Sequence, residues 1–139
     1  MIRAVIDTNV YVAALLSNEG APARLVRGLS EGLFDAIVCP RLLNELGGVL
    51  ARPKIAQRVD PTTASDFTLW LERVAAVEPD PGDIPSVSPD PNDDYLVALA
   101  LIGRAQAIVS GDAHLLGLTS ANPRVLSPTA FATLIEGLR

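Results

Sequence analysis

The residue order predicts an α/β fold, a three-layer α/β/α sandwich around a central, mainly parallel, twisted sheet. Three observations carry this expectation. Short runs rich in β-branched and apolar residues recur along the chain, as in strands buried on both faces. The intervals between them hold apolar residues at helical spacing. Strand and helix then alternate to the end of the chain, which implies βαβ units with right-handed crossovers and helices on both faces of the sheet.

Ile2 to Ile6 is the first such run. Asp7-Thr8-Asn9 breaks it with short polar residues that cap helices well, and a helix follows from about Val10 to Leu16. Ser17 to Pro22 is a loop, and Ala23, Val26 and Leu29 mark a second helix that ends at Gly32. Phe34 to Cys39 is the second strand. Pro40 suits the first turn of a helix carrying Leu42, Leu43, Leu46, Val49 and Leu50, which Arg52-Pro53 ends. A further helix runs from Pro61 to about Val74, with Phe67, Trp70, Leu71 and Val74 on one side, and Ala75 to Glu78 is a short strand. Pro79 to Asn92, rich in Pro and Asp, is a loop. Asp90-Pro91 opens a helix reaching about Gly103. Ala107 to Ser110 is a strand, Ala113 to Leu116 a helical turn, Arg124 to Leu126 a strand and Pro128 to Leu138 the last helix.

The chain has 139 residues, 49% of them hydrophobic, which suits one domain over residues 1–139 with a substantial core. Charged residues make up 19%, below the usual quarter, and mean hydropathy is +0.32. Such composition fits either a thick core or an uncovered apolar patch for a partner. The net charge of -5 excludes a broad basic surface that coats nucleic acid, but not a nuclease, whose bound cations would reverse the local field. Cys39 and His114 are the only cysteine and histidine, which excludes an internal disulfide and finger-type zinc sites. With no membrane-length apolar run and no signal-peptide layout at the start, the expected location is the reduced cytoplasm.

Four carboxylates stand where apolar segments end or begin: Asp7, Glu45, Asp94 and Asp112. Each has an ordinary explanation. Asp7 and Asp112 are good cap or turn residues, Glu45 suits the solvated rim of an amphipathic helix, and Asp93 and Asp94 complement a helix dipole. Together they carry more. In a parallel sheet the loops after the strands share one edge, where ligands bind. Carboxylates crowded there repel one another unless protons or a cation intervene. Hard oxygen ligands point to Mg²⁺ or Mn²⁺, and two such ions suffice for phosphodiester hydrolysis without a histidine base. Cys39 and His114 share no motif that would make a nucleophilic triad, and no phosphate- or dinucleotide-binding glycine loop is present.

These residues resemble the PIN-domain ribonucleases along nearly the whole chain. Val5-Ile6-Asp7-Thr8-Asn9-Val10 is similar to the family's opening strand and first acid, and Leu42-Leu43-Asn44-Glu45-Leu46 to the helix carrying the second. Asp90 to Ala100 is similar to the third region and Ile108-Val109-Ser110-Gly111-Asp112 to the fourth. The closing Leu126 to Phe131 resembles the bacterial toxin branch related to VapC-type toxins. The resemblance implies a Mg²⁺- or Mn²⁺-dependent endoribonuclease, the toxin of a type II toxin–antitoxin pair, hydrolysing RNA by metal-activated water. It gives metal and catalytic roles to Asp7, Glu45, Asp94 and Asp112, with Thr8, Asn9, Asp93 and Ser110 in support. It further implies a homodimer and a cognate antitoxin. Ser110 stands where threonine is frequent, and Ala113-His114 where a basic residue often follows the last acid.

Two other readings are compatible with the residues. A non-catalytic PIN-like binding module would keep the acids for a structural cation or a partner. An aspartate-nucleophile phosphatase would use Asp7, but its pattern wants a second acid where Asn9 stands.

Overall fold

Ala4-Val5-Ile6, Ala36-Ile37-Val38 and Ala107-Ile108-Val109 are buried along their whole length, so side chains on both faces of the sheet are covered. The computed structural model describes residues 1–82, 91–117 and 123–138, with the backbone alone at residues 91–93 and 114. In chain order the elements are β1 (Arg3–Ile6), α1 (Thr8–Leu16), α2 (Ala21–Ser30), β2 (Asp35–Val38), α3 (Pro40–Leu50), α4 (Pro53–Ala56), α5 (Pro61–Val74), β3 (Ala76–Val77), α6 (Pro91–Ile102), β4 (Ala107–Val109), α7 (Ala113–Leu116), β5 (Arg124–Leu126) and α8 (Pro128–Glu136). The five strands form one parallel sheet in the order β3-β2-β1-β4-β5. This is the expected three-layer α/β sandwich.

The first half of the chain builds outward from β1 through β2 to β3. Helices α8, α2, α1, α3 and α5 pack in series, each against the next. Helix α6 then returns the chain past β2 and β1 to β4, packing on all three strands. Right-handed crossovers that run in opposite directions across a sheet lie on opposite faces, which puts α6 on the face away from the β1–β2 and β2–β3 connections. From Asp94 to Ala100 every residue of α6 is buried. A helix apolar all round belongs inside a fold.

Prolines mark the starts of helices. Pro22, Pro40, Pro53, Pro61, Pro91 and Pro128 all stand in first turns, where the missing N–H costs nothing. Asp60 and Ser127 complete their caps with side-chain bonds to Thr62 and Ala130. The structure departs from expectation in two places. Helix α1 begins at Thr8, because Asp7 itself occupies the cap position. Pro53 does end α3, yet it also opens the unexpected short helix α4, since the break leaves Arg52 extended and the ring pre-set for a new turn. The Phe67, Trp70 and Leu71 stripe of α5 packs inward as core, while Val74 is exposed. The expected cap at Asp90 and most of the Pro79 to Asn92 loop lie outside the described residues.

The end of α6 shows a conflict between two demands. A Cβ on Gly103 would stand 2.6 Å from Ile37 Cγ2, so the helix approaches β2 only because that residue is glycine. The chain then leaves through a Schellman motif: Ala105 N–H donates to the Ala100 carbonyl and Arg104 N–H to the Leu101 carbonyl. Its left-handed position, normally glycine, falls on Arg104 at φ 54°. Arg104→Gly is therefore expected to stabilise the fold by about 1 kcal/mol, roughly 3 °C in Tm. Gly103→Ala, one residue earlier, is expected to cost about 1–3 kcal/mol through overpacking against Ile37. Thermal unfolding of the two variants checks both signs.

Candidate active site

The sheet reverses its winding between β1 and β4. Strands β2 and β3 lie on one side of β1, and β4 and β5 on the other. In open parallel sheets such a reversal opens a crevice beyond the carboxyl ends of the two strands. Asp7 follows β1 there and Ser110-Gly111-Asp112 follows β4. Asp7 N–H continues the ladder to the Val109 carbonyl at 2.9 Å, which brings the two loops together. A cleft of about 450 Å³ lies at this point, lined by Asp7, Asn9, Val10, Gly111, Asp112 and Pro128 among others.

Asp7 sits at the cap position of α1 but makes no capping bond with its side chain. Its Oδ2 accepts instead from Ser110 Oγ at 2.9 Å. The same Ser110 oxygen accepts from Asp112 N–H at 3.0 Å, so one fully buried hydroxyl positions both acid-bearing loops. Burial raises the proton affinity of the Asp7 carboxyl. Ser110 and the nearby Asn9 backbone N–H oppose that rise, and the charges of Glu45 and Asp112 add to it. Asp7, Glu45 and Asp112 therefore share one electrostatic neighbourhood.

Glu45 reaches the site from α3, and its Oε2 accepts from the Tyr95 hydroxyl at 2.9 Å. That phenol is held far above its ordinary pKa by burial and then by the charge of Glu45, so it remains a donor. The Arg41 guanidinium lies 4.1 Å from the centre of the Tyr95 ring. Asp94, the preceding residue on α6, is only 5% exposed. Tyr95 is the residue that sequence reasoning missed. The available signal was its place beside Asp94, but nothing in the spacing pairs it with Glu45, 50 residues away. Thr8, expected to help orient Asp7, has a buried hydroxyl without a hydrogen-bond partner among the described residues, and Ser110 takes the orienting role. Asn9 is exposed and acts on Asp7 through its backbone. The side chains of Asp93 and His114 lie outside the described residues. Cys39 is a buried free thiol pushed up to about 11, first by burial, as a small core residue would be.

A family model described as "PIN domain" matches residues 3–114. The chain belongs to the PIN-domain family. PIN domains are generally metal-dependent nucleases. The uncharacterized protein MJ1680 of Methanocaldococcus jannaschii is 26% identical over 121 residues, covering 87% of this chain and 77% of that protein. The crystal structure of PAE2754 from Pyrobaculum aerophilum matches with a TM-score of 0.59 at 14% identity, over 99% of this chain and 90% of that one, a likeness of fold. No helix among the described residues is long and apolar enough to cross a membrane.

The donor set of this PIN domain fits a hard divalent cation. It consists of carboxylate oxygens, with the proton affinity of Asp7 raised first by burial and then by the charges of Glu45 and Asp112. Among the described residues, however, no three His, Cys, Asp or Glu side chains already converge as one ligand group. Asp7 and Glu45 are each held by a hydroxyl instead, through Ser110 and Tyr95.

The sign of the Asp7 shift makes a prediction about stability. An acid whose pKa is higher when folded favours the fold fully below its unfolded value, ordinarily 3.8, and that contribution is lost as pH rises through the raised value. In chelator at pH 7, Asp7→Asn should exceed the wild type in Tm, with the gap closing as the pH falls from the raised value towards 3.8. Excess Mn²⁺ should reverse the order by stabilising the wild type alone. Calorimetry with and without the ion measures both effects.

Proposed function

We propose that this PIN domain is a Mg²⁺- or Mn²⁺-dependent endoribonuclease and the toxin of a type II toxin–antitoxin pair. The observation that carries the hydrolase reading is the disposition of Asp7. Although it stands at a helix cap, its Oδ2 accepts from Ser110 after the neighbouring strand, and it lines the switch-point cleft together with Asp112. A residue kept only to start α1 would have no need of a buried hydroxyl donor from the loop after β4.

Asp7, Glu45 and Asp94 would hold the cation, with Asp112 in support. The ion would supply Lewis acidity, easing deprotonation of water and offsetting charge that builds on the phosphate. The chain's own contribution is preorganisation. Ser110 fixes the rotamer of Asp7 and the backbone that presents Asp112. Tyr95 fixes the Glu45 carboxylate by donating to Oε2, which would hold it in place for the ion. Asp112, half-buried at the cleft, would orient the attacking water.

The toxin role, a cytoplasmic location, homodimerisation and silencing by a cognate antitoxin form the finer part of the proposal. They rest on the resemblance of the Leu126 to Phe131 segment to that toxin branch. Purified wild type should cleave single-stranded RNA with Mn²⁺ and stop with chelator, and Asp7→Asn should lose on the order of 100-fold or more in rate. Equal rates in the two proteins would refute the hydrolase reading. Growth arrest on expression, relieved by a neighbouring small open reading frame, tests the toxin role.

A further inference from the structure

A second groove, of about 600 Å³, opens beside the acidic cleft. Val12, Val49 and Ile55 give it an apolar lining, and Arg52 and Lys54 stand exposed along it. Asn9 lines both this groove and the acidic cleft, so the two border each other at the first turn of α1.

The charge along this groove runs against that of the chain. The protein is acidic overall, at -5, yet residues 52–58 hold Arg52, Lys54 and Arg58 with no acid among them. Arg58 is spent on the carbonyl of Leu16 at the end of α1. Two arginines elsewhere pair with carboxylates, Arg3 with Glu78 and Arg24 with Glu136. Among the described residues Arg52 and Lys54 form no ion pair. Exposed cations without partners on the rim of an apolar groove suit a polyanion that also offers flat apolar faces.

We infer that this groove continues the substrate site and takes nucleotides flanking the cleaved bond of a single-stranded RNA. Phosphates lie on Arg52 and Lys54, and unpaired bases lie on Val12, Val49 and Ile55. A duplex would keep its bases stacked away from such a floor. The inference rests on the nuclease reading for the identity of the ligand. It adds a binding role that the acids cannot perform, because a cleft of carboxylates repels the very backbone it cuts. Two cations next to it supply attraction without filling the cleft with counter-charge.

The test is equilibrium binding of a fluorescent single-stranded RNA of about 12 nucleotides by Asp7→Asn protein, over roughly 50–300 mM salt. Adding Arg52→Ala and Lys54→Ala is expected to weaken binding roughly tenfold at the low-salt end and to flatten the log Kd against log salt slope by about 1.4. The same loss of charge at the opposite edge of the sheet, Arg104→Gly with Arg124→Ala, is expected to leave the slope within about 0.3 of the parent. Lys54→Gln alone, with an expected slope change of about 0.7, serves if the double variant melts early. Equal slopes in all proteins, or no RNA binding by the parent, would overturn the inference, and an acidic peptide would then be the occupant to test. Binding is read without turnover. Failure of the wild type to cleave RNA would end the nuclease reading while leaving a groove effect visible, and an unchanged slope would end the groove assignment alone.

Discussion

The parallel pairing of β1 with β4 is the constraint on which the rest depends. Ile6 stands opposite Val109, and the next residues out are Asp7 and Ser110. One residue of slip would turn Val5 and Ile6 to the wrong faces and part the carboxylate from its hydroxyl. The pairing is secured by burial, since every residue from Ala4 to Ile6 and from Ala107 to Val109 is inaccessible to water. A fully apolar strand pair thus places a polar one-residue extension on each side, a carboxylate and a hydroxyl, with fixed spacing. The cost is borne at Asp7, where desolvation and two like charges outweigh the donors that favour ionisation.

Helix α6 performs two tasks that seldom combine. It is core for two full turns, from Asp94 to Ala100, and its first residues belong to the site. Tyr95 joins the tasks: its ring is buried beneath Arg41 and its hydroxyl fixes Glu45. Polar contacts made from within a packed helix inherit its rigidity. The close approach of Gly103 to Ile37 and the strained turn at Arg104 follow from the same demand, that a return crossover lie flat on β2 and still reach β4.

Much of this organisation is legible in the residue order. Continuous β-branched runs, helical spacing and prolines in first turns mark all five strands and the main helices, because burial period and backbone chemistry are local properties. The acids that line the edge were legible for the same reason, as polar residues abutting apolar segments. What is not legible is pairwise. The strand order, the donation from Ser110 to Asp7 and that from Tyr95 to Glu45 join residues 50 to 103 positions apart. Asp7 illustrates the limit. Its position is that of a helix cap, and only the geometry shows its oxygen turned elsewhere. Helix α4 was hidden because Pro53 reads equally as a stop and as a start.

The central strand of the finished sheet is an edge strand until β4 is made. Until Ala107 leaves the ribosome, one side of β1 has no partner, and the nascent chain lacks both Ser110 and Asp112. The early acids, Asp7 and Glu45, are thus translated long before the hydroxyl and the backbone turn that organise them. A chain with this topology completes its acidic edge only after β4 has paired with β1.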